Sequence, residues 1–211
     1  MQPPGRWFIA RHGETVFNAA ARMQGDAPHT PLTRAGFAQA DAMGEALRRR
    51  LGPRPRLALW SSPAGRALQT LAVICEHLEL DWHSARTDPR LAEIDVGEWG
   101  GRYYRDVARE VEGLIDPATH LFARRPPGGE WYDDIARRLA DWIEATSGAE
   151  GDRLIVMHGV SSRVLRGLLT DEPYRTDCGT RVAAGLPQGS VSEVCNGVEV
   201  PVALGDGGET Y

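Results

Sequence analysis

Apolar positions along the chain fall into short unbroken runs, each followed by a longer stretch with helical spacing. Trp7-Phe8-Ile9-Ala10 is the first run, and it stops abruptly at Arg11-His12-Gly13. Leu57-Ala58-Leu59-Trp60 and Leu154-Ile155-Val156-Met157 are the second and third. Runs of this length bounded by turn residues predict buried strands. After the first comes a helix over Arg34 to Leu51, capped by Thr33 and stopped by Gly52-Pro53. Its predicted apolar face sets Ala38, Ala42 and Ala46 beside Met43, Leu47 and Leu51. Arg48, Arg49 and Arg50 read as a helix terminus, where the macrodipole favours cations. After the second run, Ser62 fits an N-cap and Pro63 the first helical position. That helix runs to about Leu80 and buries Ala67, Leu71, Ile74 and Leu78. Further helices are predicted on Tyr103, Val107, Val111 and Leu114, over Glu130 to Thr146, and on Val160, Val164, Leu165 and Leu168. Ser190–Val194 and Val198–Val202 flank Cys195-Asn196-Gly197, a hairpin signature. Three strand-then-helix units and a C-terminal hairpin predict a three-layer α/β/α fold with a mostly parallel central sheet.

The 211 residues read as one domain with room for a sizeable core. Residues 116–129 are irregular and Pro- and Gly-rich, a lid or substrate loop. Gly205-Asp206-Gly207-Gly208 reads as a flexible tail. A formal net charge of −5 argues against nucleic-acid or anionic-membrane binding. No run is long enough to span a bilayer and no signal-like segment opens the chain, so a cytoplasmic setting is expected. All 24 basic residues are arginine, which removes Schiff-base chemistry and any P-loop lysine. Cys75, Cys178 and Cys195 form neither a disulfide framework nor a metal-ligand spacing. Each has Asp81, Ala184 or Pro201 six residues on, so none carries the arginine of a cysteine phosphatase. There is no Asp-x-Asp pair for an aspartyl-phosphate route. His29, His77, His83 and His120 are scattered and read as surface or loop residues, so no metal is expected. His29 is the one of these whose loop allows it to point toward the site.

Chemistry collects where parallel strands end. Arg11 and His12 end the first strand, Arg66 follows the second, and His158 ends the third. Two guanidinium groups and two imidazoles meeting at one sheet edge suit a tetrahedral dianion.

These residues resemble the histidine phosphatase superfamily, with its phosphoglycerate-mutase-like fold. Arg11-His12-Gly13-Glu14-Thr15 matches its signature. Asn18, Arg22-Met23-Gln24-Gly25, Pro31-Leu32-Thr33, Ser61-Ser62-Pro63, Arg66-Ala67, Leu91-Ala92-Glu93-Ile94, Pro127-Gly128-Gly129-Glu130 and Met157-His158-Gly159 follow in the family's order. The resemblance implies that His12 attacks phosphorus and that Arg11, Arg66 and His158 hold the nonbridging oxygens. It makes Glu93 the acid and then the base, gives Asn18 a hydrogen bond to the phosphate, and sets Gln24 and Gly25 on the substrate side. No cofactor or metal is implied. The expected enzyme is a histidine acid-type phosphatase, a phosphoric monoester hydrolase, acting on a small phosphorylated metabolite.

A phosphoglycerate-type mutase is the alternative, with Arg124-Arg125 placed to bind a substrate carboxylate. The short chain and the Asp95-Val96-Gly97-Glu98-Trp99 stretch favour the phosphatase branch. A non-catalytic phospho-ligand-binding module is the second alternative, disfavoured because no member of the catalytic set is missing. Trp131, where relatives often carry serine, predicts a more apolar leaving-group pocket; Tyr103 and Tyr104 read as packing residues. Nothing in the sequence sets an oligomeric state.

Overall fold

The first apolar run forms strand β1 (Trp7–Arg11), and its side chains alternate between two separate cores. Trp7 and Ile9 face one core, Phe8 and Ala10 the other. A strand apolar on both faces needs cover on both faces. The structure is a computed structural model that describes residues 5–148 and 151–207. Residues 1–4 and Gly208 of the tail lie outside these. The other strands of the main sheet are β2 (Leu57–Ser61), β3 (Arg86–Thr87) and β4 (Asp152–Met157), with β7 (Val191–Cys195) and β8 (Val198–Ala203) as the hairpin. A separate two-stranded ribbon pairs β5 (Tyr174–Arg175) with β6 (Thr180–Arg181).

The sheet order is β3-β2-β4-β1-β7-β8. The first four strands are parallel, while β7 runs against β1 and β8 against β7. One face is covered by α2 (Arg34–Leu51) and α3 (Gly65–Leu78), the other by α5 (Tyr132–Thr146) and α6 (Gly159–Leu169). On the second face Trp142 meets Trp7 and Trp60 edge-on, with ring centroids 5.7 and 5.5 Å apart. Two short helices, α1 (Val16–Ala19) and α4 (Tyr104–Glu110), lie in the connections. The predicted three-layer fold is the one observed. The hairpin turns on Asn196 and Gly197, both at positive φ (48° and 79°), as a type I′ turn requires.

Several local predictions need correction. The buried face of α2 is Gly36, Gln39, Ala40, Met43, Gly44, Ala46 and Leu47, so Met43, Ala46 and Leu47 lie as predicted while Ala38 and Ala42 are exposed, because small residues mark a helix face weakly. The cap of α3 is Ala64, not Ser62; the Ser62 hydroxyl accepts the N–H of Ala64 (3.3 Å) and reaches no N–H inside the helix. The helix predicted through Leu114 stops at Glu110, and Gly113 beyond it sits at φ 64°. Strand β3 is too short for any periodic signal. The tail is bonded as far as Gly207: Gly205 N–H donates to Ser190 Oγ (3.0 Å), Gln39 Nε2 donates to Asp206 Oδ1 (3.1 Å), and Gly207 bridges to Gln188.

Gly13 serves packing. A Cβ on it would lie 2.2 Å from the carbonyl oxygen of Gly36, in the first turn of α2. Backbone cannot yield as a side chain can, so Gly13→Ala should cost about 3 kcal/mol, at the upper end for overpacking. Calorimetry should then show a melting temperature lower by roughly 6–12 °C.

Candidate active site

Parallel pairing sets Arg11 beside Met157 and Ser61 beside Val156, so the residues that follow these strands share one edge. His12, Ser62 and His158 are those residues, all buried. The His12 and His158 ring centroids are 5.2 Å apart.

Hydrogen bonds fix both tautomers. His12 Nδ1 lies 2.7 Å from the carbonyl oxygen of Gly13. Only a protonated Nδ1 can make that bond, so Nε2 carries the lone pair. The Nε–H of Arg66 donates to His158 Nδ1 (3.1 Å). His158 therefore carries its proton on Nε2 and donates it to Ser62 Oγ (2.7 Å). Burial holds the pKa of both rings well below the ordinary imidazole value near 6.5, and the Arg66 charge adds to the effect. The unfolded chain takes up two protons below pH 6.5 that the fold does not. Stability is thus fully present above about pH 6.5 and falls as the solution is acidified, by up to about 2.7 kcal/mol per pH unit. Denaturant titrations across pH 5–7 should show this slope, and His12→Asn should roughly halve it.

Arg66 has no solvent exposure. Besides His158, it donates through Nη1 to Ala27 O (2.6 Å) and Thr30 Oγ1 (2.9 Å), and through Nη2 to Gly25 O (2.7 Å). These bonds take four of its five N–H groups and leave one on Nη2. Burial pushes its pKa down to about 10, against the pull of Glu93 and Asp26, so it stays charged at neutral pH. Thr70 ties its helix to the turn after β1, donating to Arg66 O (2.8 Å) and accepting from Gly13 N–H (3.2 Å). Arg11 donates through Nη1 to Leu186 O (2.9 Å), and its backbone N–H to Ser190 O (2.9 Å).

The Glu93 carboxylate accepts N–H groups from Ile94 (3.0 Å), Val160 (3.0 Å) and Ser161 (2.9 Å). The last two are first-turn groups of α6, a natural seat for an anion. Asn18 Oδ1 accepts from Thr15 N–H (3.0 Å) and Gln188 Nε2 (2.7 Å). Its amide oxygen is thereby turned inward, leaving Nδ2 as the donor for a ligand. Arg11, His12, Asn18, Gln24, Gly25 and Glu93 all line one cavity. Arg66 and His158 lie behind this wall and are not part of it.

The far wall is apolar, made by Ile94, Val96, Tyr104, Phe122 and Val160, with Arg22 at its side. Tyr104, read as packing, lines the cavity and stacks on Phe122 at 6.4 Å. Tyr103 instead holds the guanidinium groups of Arg22 and Arg105. Trp131 is not in the wall; it packs on Tyr132 and donates to Asp177 O (3.1 Å). His29 is exposed and outside the wall. Arg124 and Arg125 are also outside it, and Arg125 is paired with Asp134 at 2.7 Å. The three cysteines are free, and burial pushes the Cys75 thiol up to about 11.

Sequence reasoning missed three contributors. Gln188 and Leu186 precede β7, which runs opposite to the other strands at the site and so approaches this edge from its N-terminal side. Ser62 was assigned to a helix cap. Its place beside Ser61 and Pro63 in the family-like stretch was the available signal. Among the described residues no cluster of three or more His, Cys, Asp or Glu could hold a metal ion, and no helix is long and apolar enough to cross a membrane.

Comparison with known proteins gives a consistent result. A Caenorhabditis elegans 6-phosphofructo-2-kinase/fructose-2,6-bisphosphatase is 31% identical over 171 residues, 81% of this chain, which spans about a third (35%) of that relative's length. The adenosylcobalamin/alpha-ribazole phosphatase of Salmonella typhimurium is 31% identical over 169 residues, 78% of this chain and 80% of that one. The mycobacterial glucosyl-3-phosphoglycerate phosphatase solved with VO3 superposes with a TM-score of 0.74 at 25% identity, covering 97% of this chain and all of that one. The family profile matches residues 7–193, and the chain belongs to the histidine phosphatase superfamily (branch 1).

Proposed function

We propose that the protein is a metal-independent phosphomonoesterase of the histidine acid type, working through a phosphohistidine on a small phosphorylated metabolite. The observation that carries this reading is the state of His12: a neutral, buried ring with Nδ1–H committed to Gly13 O and Nε2 left bare. A neutral imidazole with a fixed lone pair beside guanidinium groups is a nucleophile for phosphorus. In the first step Nε2 forms a bond to phosphorus and the ester P–O bond breaks. Glu93, entering this step in its acid form, gives its proton to the departing alkoxide and is left as the carboxylate that the first-turn N–H groups of α6 receive. In the second step Glu93 takes a proton from water as the oxygen bonds to phosphorus and the P–N bond breaks. Free phosphate leaves and His12 is restored. Arg11, the remaining Nη2–H of Arg66 and Asn18 Nδ2 supply donors to oxygens that gain charge in the transition state. For His158 to hold a nonbridging oxygen, its Nε2–H must leave Ser62 for the substrate. The arginines provide the positive charge that a metal supplies in other phosphatases. The apolar wall at Tyr104 and Phe122 suits the carbon side of a leaving group.

The test is incubation with a 32P-labelled phosphomonoester followed by an alkaline quench, which phosphohistidine survives. Base-stable label on the protein together with phosphate release supports the reading. Isomer exchange of an added phosphoglycerate faster than phosphate release would assign a mutase instead. Tight ester binding with neither label nor turnover would leave only a binding module.

A further inference from the structure

Glu93 lies between two single 3₁₀ turns, Pro89–Leu91 and Gly97–Trp99, in a stretch with no helix or strand of its own. Its backbone is held by a pair of side chains from elsewhere. Arg138 and Glu130 meet as a two-pronged ion pair, Nε to Oε1 at 2.9 Å and Nη2 to Oε2 at 3.1 Å. Both are largely enclosed, with side-chain exposures of 17% and 25%. The other faces of this pair point at the acid's own segment. Arg138 donates through Nη1 to Arg90 O (2.5 Å) and through Nη2 to Glu93 O (3.2 Å). Glu130 Oε2 accepts Asp95 N–H (3.0 Å), and Glu130 N–H donates to Asp95 O (2.9 Å). The main chain is thus gripped before Glu93, at Glu93 and after it.

We infer that Glu130 and Arg138 form a clamp that sets the reach of Glu93, so that they are positioning residues for proton transfer without touching substrate. The inference rests on the phosphohistidine reading given above. A planar guanidinium fork shared between a carboxylate and two carbonyls has little freedom to shift, which suits a fixed position better than a lysine would. Proton transfer is sensitive to displacement on the ångström scale. The carboxylate's seat on α6 fixes one end of Glu93, and the clamp fixes the other.

The experiment compares kcat/KM for p-nitrophenyl phosphate and for an alkyl phosphate, in wild type, Arg138→Met, Glu130→Gln and Glu93→Gln. kcat/KM reports steps through departure of the alcohol. p-Nitrophenolate leaves without a proton, whereas an alkoxide needs one. General acid catalysis is worth about 10²–10⁴-fold, and a displaced acid should forfeit part of it. Arg138→Met should lower kcat/KM roughly 30–100-fold on the alkyl ester and at most about 3-fold on p-nitrophenyl phosphate. In a Glu93→Gln background it should add no further discrimination between the esters. Equal losses on both esters, or no loss on either, would overturn the clamp. If thermal melts show Arg138→Met to be unfolded, Arg138→Lys and Glu130→Gln carry the same comparison. Should Glu93→Gln itself not discriminate between the esters, the acid assignment fails and the clamp with it. Discrimination by Glu93→Gln but not by the clamp variants overturns the clamp alone.

Discussion

His12→Ala should abolish turnover, lowering kcat by at least ~10⁴-fold, within the range seen when a catalytic nucleophile is removed, and no base-stable label should remain on the protein. The effect is expected to be this large because nothing nearby can substitute. His158 is the other imidazole nearby, but it lies behind the cavity wall, Arg66 Nε–H occupies its Nδ1 and its Nε2 carries the proton. It has no free lone pair to offer phosphorus. The guanidinium groups of Arg11 and Arg66 remain after the substitution, so an oxyanion such as vanadate should still bind. Turnover assays, alkaline-quench labelling and vanadate inhibition check the three parts separately. Labelling that survives His12→Ala would move the nucleophile elsewhere.

Arg66→Met should damage stability and activity together. The substitution strands Ala27 O, Gly25 O and Thr30 Oγ1, and removes the donor that fixes the His158 tautomer. Buried polar groups left without partners cost about 1–3 kcal/mol each. Loss of the buried charge offsets part of this, since charges are costly to enclose. A net loss of roughly 3–5 kcal/mol is expected, near the limit for single substitutions. In the fraction that folds, kcat/KM should fall about 10³-fold, as for removal of one oxyanion donor. Denaturant melts and kinetics on the same preparation check both. A variant that kept its melting midpoint but lost activity would show the turn at 25–30 to be held by other means.

The strand-end argument reached Arg11, His12, Arg66 and His158 because each ends or follows a parallel strand, and parallel strands deliver their C-terminal ends to one edge. It could not reach Gln188 or Leu186. An apolar run marks a strand but not its direction, and β7 enters the same edge from the other end. Glu93 was legible only through family resemblance, since it sits on no periodic element. Its partners come from 67 and 68 positions away on α6, a pairing that no local pattern announces. The inward face of α2 is legible at Met43, Ala46 and Leu47 but not beyond them, for a related reason: Ala38 and Ala42 look like a stripe, but Gly36 and Gly44 make the close approaches. Trp131, singled out because relatives often carry serine there, lies outside the cavity wall, while Tyr104 lines it because α4 begins there.

Arg66 grips the 25–30 turn chiefly by main-chain oxygens, those of Gly25 and Ala27. A carbonyl is the same whatever side chain stands beside it. Apart from Gly25, at φ 50° with Val96 where a Cβ would go, and Thr30, whose hydroxyl Arg66 also holds, the turn is therefore open to drift in side-chain identity while its path through space is constrained, and insertions or deletions there should be far less tolerated than substitutions.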